Sequence, residues 1–224
     1  MVPPRRKLLI SALAGAAMCA VPRLPLAETL VTLSNNSANR RFSIFYKGSK
    51  IGAHAVSSTA NGETRVTTEI NLLVKALFFT VFSFSHRSEE NWRNGMLVSL
   101  KSDTMEHGEK LSVVGGPVSQ GFRVVSKAGP FIAAASALTS NSLWTPAVLE
   151  QQTLIDAQHG GIIGVSAHKL ADERLMIAGV QVHAARYRFI SPYLAGSIWY
   201  DDLSRWVHGE FERDGAKVEY RLDA

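Results

Sequence analysis

The sequence predicts an all-β domain, mainly antiparallel, built as a strongly curved sheet or incomplete β-barrel with one short helix. Three observations carry that expectation. Beyond Glu28 the apolar residues recur mostly with a period of two, which sends alternate side chains to opposite faces of a strand. Turn residues interrupt these runs every ~8 to 12 positions, the spacing of sandwiches and barrels. The alternating runs are also rich in Val, Thr and Phe, which suit a pleated, half-buried surface.

Taken in chain order, residues 41–58 (RFSIFYKGSKIGAHAVSS) read as strand, tight turn at Gly48-Ser49, and strand. A polar turn at Ala60-Asn61-Gly62 leads into ETRVTTEINLLV. There Val66, Thr68, Ile70, Leu72 and Val74 share one face, and Arg65, Thr67, Glu69 and Asn71 the other. Residues 76–92 (ALFFTVFSFSHRSEENW) alternate again, with Phe78, Thr80, Phe82, Phe84 and His86 on one side. Lys75 interrupts the apolar run, and its β-forming content favours a core strand over a membrane-spanning helix. If the sheet curves, this Phe face lines a cavity.

Shorter runs follow at MLVSLKSD, EKLSVVGG, GFRVVSKAG and PFIAAAS, separated by MEHG, GPVSQ and Gly129-Pro130. The short helix is expected at TPAVLEQQ, with Thr145 as N-cap and Pro146 as the first helical residue. TLIDA, a turn at QHGG, IIGVSAHKL and VQVHAARYRFIS come next. The chain closes with strands SIWYD, RWVHGEFER and AKVEYRL, joined by turns at Asp202-Leu203-Ser204 and Asp214-Gly215. Alternation groups Val207, Phe211, Val218, Tyr220 and Leu222 on one apolar face. His208, Glu210 and Glu212 then share a solvated, mixed-charge face with Lys217, Glu219 and Arg221. No internal repeat or linker divides residues 28–224, which read as a single domain.

The first 27 residues have the layout of a bacterial export signal: basic Arg5, Arg6 and Lys7, an apolar stretch from Leu8 to Val21, and small residues before Glu28. The apolar stretch is shorter than the roughly 20 residues that span a bilayer as a helix, so cleavage is favoured over an uncleaved anchor. Cleavage after Ala27 fits best, with Ala20 as the alternative. Arg5-Arg6 followed by Lys7-Leu8-Leu9 resembles a twin-arginine motif without its usual Ser and Phe, and the general secretory route stays open. Met18 before Cys19 argues against lipidation. A periplasmic destination follows, reached through the export machinery, with no integral membrane segment once the leader is removed.

The leader also accounts for the charge. Of 24 Lys and Arg it holds four, so the remaining chain sets 20 bases against 19 acids, a net charge of +1. A nucleic-acid surface needs a clustered basic stripe, and none is present. Cys19 is the single cysteine. Residues 28–224 therefore offer no disulfide and no thiolate metal or iron–sulfur site.

Motifs for catalysis are weak. Asp201 beside Trp199 and Tyr200 is a candidate acid with a raised pKa, against its simpler role as a turn aspartate. Asp202 points to the opposite face. Glu90, with Glu89, is a second candidate acid with the same alternative. SAHK at Ser166 to Lys169 has a serine–lysine spacing that needs a helix, but reads as a strand. GVSAH at 164–168 has His where a nucleophile elbow needs Gly. No phosphate-cradling loop or dinucleotide fingerprint occurs. The seven histidines show no metal-ligand spacing, although a site joining His86 to Glu89 or Glu90 stays open. No catalytic residue, metal ligand or cofactor is assigned.

FSIFYKGSKIGAH, HRSEENWRNGMLVSLKSDTMEHGEKLSV, LWTPAVLEQQTLIDAQHGG and the closing IWYDDLSRWVHGEFERDGAKVEYRL together resemble a family of uncharacterised exported proteobacterial proteins, a domain of unknown function. The resemblance spans nearly all of residues 28–224 and assigns no catalytic residues. The plan is more remotely similar to the curved, incomplete β-barrels of periplasmic lipoprotein carriers, a likeness of fold alone. The expectation is a non-catalytic binding or carrier domain for an apolar small molecule or lipid. Phe78, Phe82, Phe84, Trp92, Trp144, Trp199 and Tyr200 are its candidate lining, or simply core. An envelope hydrolase using acidic or histidine residues, and a structural or interaction domain, are the alternatives.

Overall fold

A computed structural model describes residues 39–76, 79–213 and 215–223. Residues 1–27, expected to be an export signal, and Phe78 lie outside them. Eight strands follow one another as antiparallel neighbours: β1 (Arg40–Tyr46), β2 (Ser49–Asn61), β3 (Glu63–Ala76), β4 (Phe79–Arg93), β5 (Met96–Glu106), β6 (Glu109–Val118), β7 (Gly121–Ser126) and β8 (Gly129–Ala133). An inner segment, residues 134–165, carries two 3₁₀ turns (Ser142–Trp144 and Pro146–Glu150). It also carries the hairpin of β9 (Thr153–Ile155) and β10 (Ile162–Gly164). The chain returns to the sheet with β11 (Ser166–Lys169), β12 (Glu173–Ile177), β13 (Val180–Ile190), β14 (Ala195–Asp201), β15 (Trp206–Arg213) and β16 (Ala216–Leu222).

The main sheet has 14 strands in the order β11-β13-β14-β15-β16-β1-β2-β3-β4-β5-β6-β7-β8, with β12 also paired to β13. The first and last strands thus meet in mid-sheet, where Ile44 pairs with Tyr220. β11 and β12 lie end to end along β13 at one edge, and β8 forms the other. Among the described residues no pairing joins the two edges, so the sheet is an incomplete barrel, as expected. β12 had no counterpart in the sequence reading.

Local chemistry explains the hairpins. Lys47-Gly48, Asn94-Gly95 and His107-Gly108 take positive φ at both positions, which two-residue turns matched to strand twist require. The first turn therefore falls one residue before the expected Gly48-Ser49. Register shifts at Ile44/Phe45, Val74/Lys75, Asn91/Trp92 and Trp199/Tyr200 sharpen the local twist. Gly52 meets a steric demand: an added Cβ would lie 1.9 Å from the Asn71 carbonyl oxygen of the paired strand.

One expected face is corrected by a bulge. Trp199 pairs with His208 but Tyr200 pairs with Trp206, leaving Val207 as the extra residue. Trp206 consequently joins Phe211 in the main core, while Val207 packs with Ala184 and Trp199 in a separate cluster. Strict alternation had placed Val207 with Phe211.

The inner segment completes the core. Leu138, Leu143, Val148, Leu154 and Ile155 are buried together with Phe42, Ile44, Val66, Trp92, Leu100 and Trp206 of the sheet. Thr145 caps its second turn as expected, accepting from the Ala147 amide with Pro146 in the first position, but the turn is 3₁₀. Among the described residues no helix is long and apolar enough to cross a membrane.

Candidate functional site

Antiparallel register sorts the inner face of the sheet into cross-strand rows. One row runs Phe42, His54, Ile70, His86, Thr104. On one side of it lies Ile44, Gly52, Leu72, Phe84, Glu106, and on the other Val56, Thr68, Ser88, Ser102. Glu90 sits one row further, opposite Val66 and Leu100. Strands that bury Phe84 and Trp92 therefore also bury His86, Ser88 and Glu90 between them.

The inner segment answers these polar groups one by one. Asn141 Nδ2 donates to His86 Nε2 (3.0 Å) and to Ser88 Oγ (2.8 Å). His86 Nδ1 lies 2.8 Å from Thr104 Oγ1, which donates to the Gln158 carbonyl. Ser102 Oγ donates to the Ala157 carbonyl at 2.6 Å. Glu90 accepts from Thr139 Oγ1 (2.6 Å) and from Trp92 Nε1 (3.2 Å). Burial pushes the Glu90 carboxyl up to about 7, with these hydrogen bonds opposing it. Burial likewise lowers the His86 imidazole to about 4.

Where the two parts do not touch, a cavity of about 350 Å³ remains, toward the small end of ligand sites. Ile70, Leu72, Phe82 and Phe84 of β3 and β4 form one wall, facing Leu143, Leu154 and Ile163 of the inner segment; Phe189 and Tyr220 complete the apolar lining. The exposed lining residues, Tyr193 and Arg213, mark the rim, and half-buried Glu106, Gln158, His159 and Ser191 add polar groups to the lining alongside half-buried Leu72, Phe82 and Leu194. His159 is held there between Asp156 (3.1 Å) and Glu106 (3.0 Å), and Tyr193 Oη donates to Asp156 at 2.6 Å. Burial lowers the His159 pKa, but the hydrogen bonds and charges of Glu106 and Asp156 outweigh it, and the net shift is upward. Burial and the bond to Asp156 raise that of Tyr193.

His54 stands apart in the cavity wall. It is 3 % exposed, and among the described residues neither ring nitrogen has a hydrogen-bond partner. Phe42, Trp206 and Tyr220 surround it edge-on, with centroids 5.3–6.4 Å away. Burial, reinforced by nearby His86, lowers its pKa to about 3.

The structure separates the candidate lining residues. Phe82 and Phe84 line the cavity, stacked 6.3 Å apart. Trp92 and Trp144 meet edge-on at 5.8 Å in the core, away from this cavity. Tyr200 ties down the inner segment by donating to the Leu143 carbonyl at 2.8 Å. Trp199 belongs to the separate Val207 cluster, where its Nε1 donates to Glu173 and Arg186 covers its ring. Of the candidate acids, Asp201 organises its turn, accepting from the Leu203 and Arg205 amides and pairing with the Arg205 guanidinium at 2.6 Å. Glu90 is no turn residue; it lies mid-strand and fully buried. His86 contacts Asn141 and Thr104 rather than either glutamate. His208, Glu210 and Glu219 converge on the outer side of the sheet, paired with Lys217 and Arg221. The sequence reading missed His54 and the rim; polar residues at inward positions of β2 and β4 were the available signal.

A family model for a domain of unknown function, DUF6134, matches residues 42–223. The chain belongs to this family. The matched span runs from β1 through β16, so the sheet, the inner segment and the cavity are all parts of the DUF6134 domain. No curated protein matches the chain significantly. Among solved structures, the chain is similar to the beta-barrel-like protein of domain of unknown function DUF1849 from Brucella abortus. The TM-score is 0.55 at 9% identity, covering 83% of this chain and 96% of that one. At that identity the likeness is one of fold.

Proposed function

We propose that this DUF6134 domain is an exported, non-catalytic binding or carrier domain that holds an apolar small molecule or lipid chain in its cavity. One observation carries the reading: a cavity with an apolar wall and a polar rim, built between the inner face of an open sheet and a segment packed into it. Its mechanism is burial of apolar surface, contributing about 25 cal/mol per Å² before ordering costs. The basic, apolar leader supports delivery to the periplasm, with cleavage after Ala27. A chain without cysteine beyond residue 19 folds there without disulfides.

A direct test fills the cavity. Leu154→Trp puts an indole where a buried leucine now lines the wall. The wild-type protein is expected to bind an environment-sensitive naphthylamine probe saturably, one to one. The variant, with a retained melting transition, is expected to bind at least about tenfold more weakly. Equal binding by the two proteins, or no saturable binding by either, overturns the reading.

An enzymatic alternative draws on His159, fixed between Asp156 and Glu106 at the rim. Its ring nitrogens face carboxylates rather than a nucleophile, so binding is favoured.

A further inference from the structure

A histidine nine-tenths buried, with both nitrogens unpartnered among the described residues, is costly wherever it occurs. Here it occurs in the wall of the cavity, while its buried counterpart in the same row, His86, has both nitrogens bonded. The inner segment that satisfies His86, Ser88, Ser102 and Glu90 leaves His54 unanswered. Phe42, Trp206 and Tyr220 around it are aromatic, and a phenyl ring would fit those surroundings without an orphaned polar atom. Arg40, Thr68 and Trp144 also bury an unpartnered polar atom, but among the described residues His54 is the one of these four side chains that lines the cavity.

We propose that His54 is the polar contact for the cavity's ligand, and that this ligand is an uncharged, oxygen-bearing apolar molecule of the long-chain alcohol class. The inference rests on the binding reading given above and narrows it. A neutral imidazole offers one N–H and one lone pair, and a hydroxyl group complements both. Both nitrogens are closed off as the ring now lies among Phe42, Trp206 and Tyr220, so the contact requires the ring to turn within the wall. A pure hydrocarbon leaves both nitrogens unpaired. An anion gains little from an uncharged ring in an apolar wall and loses its hydration. A site built to hydrogen-bond a hydroxyl rejects the analogue lacking it, because its own polar group is then stranded.

The test is a competition. The full chain, expressed with its leader and purified without detergent, is incubated with an equimolar mixture of dodecanol, chlorododecane and dodecanoate. It is then desalted and extracted, and the retained molecules are quantified by gas chromatography. Dodecanol is expected to be retained over chlorododecane by about tenfold or more. His54→Phe is expected to bring that ratio close to one by lowering dodecanol retention toward that of chlorododecane, and His54→Gln, which keeps a donor and an acceptor, to restore part of it. Melting curves establish that both variants fold. A wild-type ratio near one, or a preference unchanged in His54→Phe, overturns the role of His54 and leaves the cavity reading standing. Preferential retention of dodecanoate, insensitive to His54→Phe, moves the polar contact to the rim and also overturns it. Retention of none of the three overturns both.

Discussion

Glu90 and His54 face the same interior, and burial makes both uncharged at neutral pH or close to it. For Glu90 the folded pKa of about 7 lies above its ordinary 4.5. The stability linked to its protonated form is fully present below about 4.5 and lost as pH rises through 7. For His54 and His86 the folded values of about 3 and 4 lie below the ordinary 6.5. Their contribution is fully present above 6.5 and lost as pH falls toward those values. Two outcomes follow. Glu90→Gln carries no charge and keeps one oxygen acceptor, for Thr139 or for Trp92, which donate to different carboxylate oxygens of Glu90. It is expected to match the wild type near pH 5 and to exceed it near pH 8 by up to about 3 kcal/mol, read from thermal melts. An equal difference at both pH values contradicts the buried-charge account. His54→Phe removes two unpartnered nitrogens and is expected to raise stability by about 1–3 kcal/mol at neutral pH. It should also flatten the loss of stability between about pH 6.5 and 4. A destabilised variant contradicts the claim that His54 is kept for binding at a cost to the fold.

At the scale of elements, the inner segment decides both the core and the site. Its hold on β4 and β5 is a set of buried hydrogen bonds, so breaking one exposes the whole arrangement. Asn141→Leu strands His86 Nε2 and Ser88 Oγ and is expected to cost about 1–3 kcal/mol. Hydrogen exchange should then accelerate first in residues 134–165, ahead of β3 and β4; uniform acceleration would show that the segment does not open separately. Period-two alternation revealed the long strands, because one face of each is buried, and Thr145-Pro146 marked the capped turn. Alternation fails at a bulge, which is why Val207 and Trp206 exchanged roles, and it carries no information about strand order. The fate of residues 134–165 was hidden for another reason. A short helix and a short hairpin read the same whether they lie on a sheet or inside it. The legible clue lay elsewhere: His86, Ser88 and Glu90 occupy inward positions between Phe84 and Trp92, where an apolar partner would call for Val or Leu. Inward polar side chains imply a polar partner, and that partner is the inner segment.

At the scale of the molecule, the open sheet and the segment within it, together with the proposed leader, form one account of the proposed exported carrier. The leader predicts a periplasmic protein whose mass corresponds to residues 28–224, measurable by fractionation and intact mass; full-length protein in the cytoplasm would contradict export. Gly52 lies beside the cavity in a mid-sheet row, so Gly52→Ala should break the pairing of β2 with β3 and abolish uptake through loss of the fold. The most direct test of the carrier claim is native mass spectrometry of the protein purified from the periplasm without detergent, followed by denaturation and solvent extraction. The account predicts one apolar molecule bound per chain at near-stoichiometric level, released on denaturation. A clean apo mass, with nothing recovered in the extract, would contradict it.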